Sequence, residues 1–228
     1  MASAAASAAM SRMITTPTRI ARALDWQKLS SSVLSVHVGE TSIDLAVTFH
    51  PSSGNPIQAL PSIPIELETR DNSKVLKSSV LQELSDAVET WNACGLVVSW
   101  PVQREGWCGK PCGRTLHFLD QIAQDTNIVS PKRPLALWDG HHFYNTEDSW
   151  GRSSIYATTS DRSVHVASKE QYRDEGLLAA DIAADYLRFH FPDLVQNLQI
   201  RSSRDFTSLT QDSDVSESFK NAHTMQST

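Results

Sequence analysis

Two short apolar runs around a Gly-led turn constrain this chain more than any other feature. Val33-Leu34-Ser35-Val36-His37-Val38-Gly39 passes through Glu40, Thr41 and Ser42 into Ile43-Asp44-Leu45-Ala46-Val47. Runs of this length and composition, separated by a short polar turn, read as a β-hairpin opening a domain. Downstream, strand-like and helix-like segments alternate. Pro51 to Pro61 reads as a loop, and Ile63 to Leu67 as an edge strand despite Pro64. From Asn72 or Ser73, apolar residues recur at Leu76, Val80, Leu84, Ala87, Val88 and Trp91. That three-and-four spacing, closed by Gly95, predicts an amphipathic helix. Leu96-Val97-Val98 follows as a buried strand. A second helix is expected over about 113–124, with Leu116, Leu119 and Ile122 inward, and Leu135 to Trp138 as another strand. A last helix from about Glu170 to Phe191 places Leu178, Ile182 and Tyr186 on one stripe. Strands alternating with helices after an antiparallel hairpin imply an α/β fold with a mixed sheet and helices packed on it. In open sheets of this kind, sites gather beyond the carboxyl ends of the strands, here His37, Ser99 and Asp139.

The ends are a different material. Residues 1–24 hold eight Ala, three Ser, three Thr and three Arg, with no acid before Asp25. That is the composition of an organelle transit peptide, and the spaced arginines favour the mitochondrion over the plastid. Residues 201–228 carry Ser or Thr at 11 of 28 positions without apolar period, and read as a disordered tail. The folded unit is therefore expected over residues 25–200, one domain of ordinary composition. No run approaches the length of a membrane span. Three cysteines, Cys94, Cys108 and Cys112, are too few for a disulfide framework and suggest a reducing compartment.

Charge bears on partners. Without the leader's three arginines, 17 basic residues face 26 acidic ones, a net of −9. Nucleic-acid binders draw most of their affinity from a basic face, so tight non-specific binding is disfavoured. A local patch of Arg104, Lys110, Arg114, Lys132 and Arg133 is the candidate contact surface.

The order and spacing of these segments resemble the YqgF family, the RuvC-like branch of the ribonuclease H-like fold, over about Val33 to Leu187. Val36-His37-Val38-Gly39 stands where that family has a strand ending in hydrophobic-Asp-hydrophobic-Gly. Leu96 to Pro101 resembles the strand ending in Gly-Leu-Pro. Glu105-Gly106 and Gly109 fall in the following loop, and Phe118 on the next helix. Leu137-Trp138-Asp139 resembles the strand leading into Asp-Glu-Arg, and Asp174-Glu175 the start of the closing helix. The resemblance implies a Holliday-junction resolvase or a nuclease maturing ribosomal RNA precursors. It also implies catalytic carboxylates at positions occupied here by His37, Gly140 and Glu175 (Asp174 if the register slips by one). His141 replaces the family's arginine.

Two-metal hydrolysis of a phosphodiester needs carboxylates holding ions roughly 4 Å apart, and Mg²⁺ prefers oxygen to imidazole. The expected site is thus degenerate: Asp139, Glu175 and His37 as its catalytic remnants, and Asp139 and Glu175 as its metal ligands. No cofactor is expected, with Mg²⁺ or Mn²⁺ required if the protein is active. His37 with Asp139, His141 and His142 is an alternative Zn²⁺ or Mn²⁺ set, or a general base. Cys108, Cys112 and His117 have zinc-like spacing but fall short of a closed set. Trp100, Trp107, Trp138 and Trp150 could stack on bases, although packing is their commoner use. Three functions stay open: an impaired nuclease retained as an assembly component in an organelle, an active nuclease with a rebuilt site, and a binding module for structured RNA or DNA junctions.

Overall fold

The protein is described by a computed structural model that covers residues 13–28, 31–101, 108–139, 177–195 and 199–201. The hairpin forms as expected: β1 (Ser32–Val38) and β2 (Ser42–Thr48) pair antiparallel, with Leu34 opposite Val47 and His37 opposite Asp44. β3 (Ile57–Pro64) adds antiparallel to β2. After a small separate hairpin of β4 (Leu67–Arg70) and β5 (Ser73–Leu76) comes helix α3 (Ser78–Thr90), and β6 (Ala93–Ser99) then pairs parallel to β1. α4 (Lys110–Ile122) leads to β7 (Leu135–Trp138), parallel to β6. α5 (Leu177–His190) follows, and β8 (Ile200–Arg201) pairs with the start of β3. Two short helices, α1 (Pro17–Ala21) and α2 (Leu24–Gln27), precede the sheet.

The six strands lie in the order β7-β6-β1-β2-β3-β8. A three-strand antiparallel meander, extended beyond β1 by two parallel strands, is the topology of the ribonuclease H-like fold.

β1 is central, and every residue in it is buried. Its alternation feeds two cores. Leu34, Val36 and Val38 join Val80, Leu84 and Val88 of α3 and Phe118, Leu119 and Ile122 of α4. Val33 faces the other way, toward α5, whose small Ala179, Ala180 and Ala183 let the helix lie close to the sheet. Ser35 and His37 share that second face by the strand's two-residue period.

Several elements depart from the sequence reading. The stretch expected as a loop up to Pro61 contains most of β3. Its prolines 61 and 64 are tolerated because β8 pairs only with Ile57 and Gln58, leaving the outer edge of the remainder without a partner strand among the described residues. The expected helix start at 72 or 73 is a tight turn: Asp71 and Asn72 have φ of 50° and 63°, the left-handed pair that a two-residue hairpin requires. α3 starts at Ser78. At its far end Asn92, φ 47°, takes the left-handed position expected of Gly95, which lies inside β6. α4 begins three residues earlier than expected and turns Cys112, Thr115 and Phe118 inward, while Leu116 is 47% exposed.

Packing also begins before Asp25. Thr15 donates its N–H to the Leu135 carbonyl (2.8 Å), and Ile14 bridges Leu135 in parallel. Ile20 and Ala21 are buried in the α5-side core. Tyr186 of α5 donates its hydroxyl hydrogen to the Pro17 carbonyl at 3.0 Å. Residues 1–12, 202–228 and the first part of the expected last helix, 170–176, lie outside the described residues.

Candidate functional site

The carboxyl ends of β1, β6 and β7 point the same way, and register lines up their last side chains. Asp44 on β2 stands opposite His37 on β1, and Ser99 on β6 stands beside Trp138 on β7. Because Val36 is level with Val98, His37 and Ser99 fall in the same row. The row Asp44–His37–Ser99–Trp138 therefore crosses four strands on the α5 face. His37 is 7% exposed and Ser99 4%.

The two ends of the row are held by neighbours. Asp44 accepts hydrogen bonds at Oδ1 from Ser62 Oγ (2.7 Å) and Ser42 Oγ (3.2 Å). Trp138 donates its indole N–H to Asp185 Oδ2 on α5 at 2.8 Å and meets the Tyr186 ring edge-on at 5.4 Å. Burial pushes the His37 imidazole below its ordinary value of 6.5. The negative charge of Asp44 opposes that shift, and the Arg114 guanidinium adds to it. His37 is thus held toward its neutral form, with a fixed cation close by.

That cation comes from α4. Lys110 and Arg114 are one turn apart on the same helix, Lys110 exposed and Arg114 half-buried. Arg114 Nε is enclosed without a hydrogen-bond partner among the described residues. Arg133 is differently used, its Nε donating to the Ala93 carbonyl at 2.8 Å, which ties it to the start of β6.

The predicted site residues are only partly brought together. His37 and Ser99 share the row, and Asp139 directly follows Trp138 but is exposed. Glu175, Asp174, Gly140, His141, His142, Arg104, Trp107 and Trp150 lie outside the described residues. His117 is exposed on α4, and among the described residues no three His, Cys, Asp or Glu side chains gather into a metal-binding group. Trp138 is a packed core residue and no stacking platform. Sequence reading passed over Asp44, Ser62 and Asp185, and it named Arg114 without linking its charge to His37. The position of Asp44 was accessible, since counting outward from the hairpin turn sets residue 44 against residue 37.

The described residues do not fit a divalent metal pair. Such a pair requires several carboxylates converging on one point. The row offers an imidazole, a hydroxyl and one carboxylate already engaged by two serines, with a guanidinium opposing any added positive charge.

No family model matches the sequence, and no curated protein does. Among solved structures, T. thermophilus RuvC in complex with a Holliday junction substrate is similar at 13% identity and a TM-score of 0.33. The match covers 70% of this chain and 96% of that one. The fold assignment rests on the strand order of the sheet itself.

Proposed function

We propose that this chain is a ribonuclease H-fold protein with impaired nuclease chemistry, retained as a nucleic-acid-associated structural or assembly component in an organelle, the mitochondrion rather than the plastid. The observation that carries the reading is His37. At the end of the central strand, where the fold's nucleases in the YqgF family carry an aspartate, this chain has a buried imidazole held toward neutrality by burial and by the charge of Arg114. A cation in that place repels a divalent ion and attracts a phosphate. Exchange of an acid for a neutral group, with lysine and arginine on the adjoining helix, favours binding over hydrolysis. The acidic whole keeps that binding local and salt-sensitive.

The test pairs cleavage with binding, on the full chain. A labelled DNA four-way junction and a structured RNA are incubated with Mg²⁺ or Mn²⁺, and binding is followed over a salt series. The expected result is no cleavage above a protein-free control, with binding that weakens as salt rises and is reduced about tenfold by Arg114→Glu, through loss of phosphate contacts. Metal-dependent cleavage that Asp139→Ala abolishes would overturn the reading in favour of an active nuclease with a rebuilt site. Absence of both cleavage and binding would remove nucleic acid from the proposal. Imaging of the full chain with a carboxyl-terminal fluorescent tag tests the compartment, and a diffuse cytosolic signal would refute it.

A further inference from the structure

The start of α4 brings two of the three cysteines near each other. Cys108 is exposed, Cys112 is 1% exposed, and both thiols are free. Cys108 directly precedes Gly109, the N-cap of α4, and Cys112 lies in the helix's first turn, where the two thiols interact; the Cys112 thiol donates to the Pro101 carbonyl, with sulfur and oxygen 3.0 Å apart. One sulfur is therefore open to a solute, and its neighbour is shielded from it but within reach of the first. That division separates an attacking thiol from a resolving one. Cys94 stands apart. It sits at the opposite end of β6 from Pro101, about 20 Å along the strand at about 3.3 Å per residue. Its thiol is pushed up to about 11 by burial.

We propose that Cys108 and Cys112 form a reversible redox site, closing an intramolecular disulfide by exchange with a small soluble disulfide of the glutathione type. The Cys108 thiolate attacks one sulfur of the solute, forming a mixed disulfide and expelling one thiolate. Cys112 then gives up its proton, and its sulfur attacks that of Cys108, expelling the second thiolate. In sum, the protein dithiol is oxidised by two electrons, and one solute disulfide is reduced to two thiols. The new bond removes the S–H that Pro101 accepts. That contact joins the end of β6 to α4, the helix that carries Lys110 and Arg114. Burial raises the Cys112 thiol, which keeps this sulfur protonated and unreactive until Cys108 has been modified.

The experiment equilibrates the full chain with oxidised and reduced glutathione over a graded ratio. The sample is then quenched in acid, alkylated under denaturing conditions and mapped by tryptic mass spectrometry. Both cysteines fall in the peptide 105–114, because trypsin does not cut between Lys110 and Pro111. The expected product is that peptide with neither thiol alkylated and no glutathione attached, while Cys94 is alkylated. Reductant restores both sites. Cys112→Ser should stop at a glutathione adduct on Cys108, and Cys108→Ser should leave Cys112 alkylatable. A stable glutathione adduct on the wild-type Cys108 would overturn the proposal, as would two alkylated thiols at the most oxidising ratio. If Cys112→Ser fails to fold, the wild-type map decides alone. The readout is covalent, so it stands or falls separately from nucleic-acid binding.

Discussion

Replacing Ile20 by Ala should destabilise the folded protein by about 3–4 kcal/mol, in the upper part of the range for burying and then deleting an isoleucine side chain. Ile20 is 1% exposed, and it rests on a strand position that has no side chain. A Cβ built on Gly95 would lie 3.2 Å from Ile20 Cγ2 and 3.5 Å from Ile20 Cδ1. The floor of the site is thus the backbone of β6, paired on one side with β1 and on the other with β7. A hydrogen-bonded strand cannot rise to fill the space left by the lost atoms, so most of the cavity should persist. For a domain of this size, the loss lowers Tm by roughly 6–15 °C. Urea and thermal unfolding of the full chain, followed by circular dichroism, would measure it. Arg19→Ala, on the exposed side of α1, serves as the control and should change stability by less than about 0.5 kcal/mol. Gly95→Ala in the Ile20→Ala background should recover part of the loss, because the new methyl enters the vacated space. If Ile20→Ala matches the Arg19→Ala control, the segment before Asp25 contributes nothing to the fold and the packing argument fails.

Two further outcomes follow from buried polar groups. Asp185→Ala leaves the indole N–H of Trp138 without its 2.8 Å acceptor and should destabilise by about 1–3 kcal/mol in urea unfolding; a change as small as that of a surface substitution would show the bond to be immaterial. Burial lowers His37, His50 and His190 from 6.5, helped at His37 and His190 by Arg114 and Arg22 respectively. The unfolded chain therefore takes up protons near 6.5 that the folded chain refuses. Stability is full above that pH and should decline as pH falls below it, read as a drop in urea midpoint between about pH 7.5 and pH 5.5. His37→Gln should make the decline shallower, and a profile unchanged by that substitution would refute the assignment to His37.

The elements that sequence revealed well are those whose signal is local. β1, β2 and β7 are short, mainly apolar runs between turn residues. α3 shows its period plainly at Val80, Leu84 and Val88. Errors arose where one local signal imitated another. Leu76 is in phase with the α3 stripe although it belongs to β5, and the turn at Asp71-Asn72 was hidden because neither residue is glycine. Gly95 read as a helix stop, whereas its lack of a side chain is used by Ile20, 75 positions earlier in the chain. The composition of residues 1–24 likewise concealed Ile20, since alanine and arginine counts say nothing about which face of a five-residue helix meets a sheet.

The site was legible to the same depth and no further. A histidine at the end of β1 is visible in the sequence, and alone it admits a metal ligand, a base or an inert core residue. The difference lies in what surrounds it. Asp44 arrives through hairpin register, Ser99 through a parallel pairing over 60 residues away, and the charge of Arg114 acts from a helix on the opposite layer. Only together do they set the electrostatic surroundings of the imidazole. The neutral form of His37 is favoured by burial and by Arg114 and opposed by Asp44, so the character of this strand end belongs to the group of residues rather than to the histidine alone.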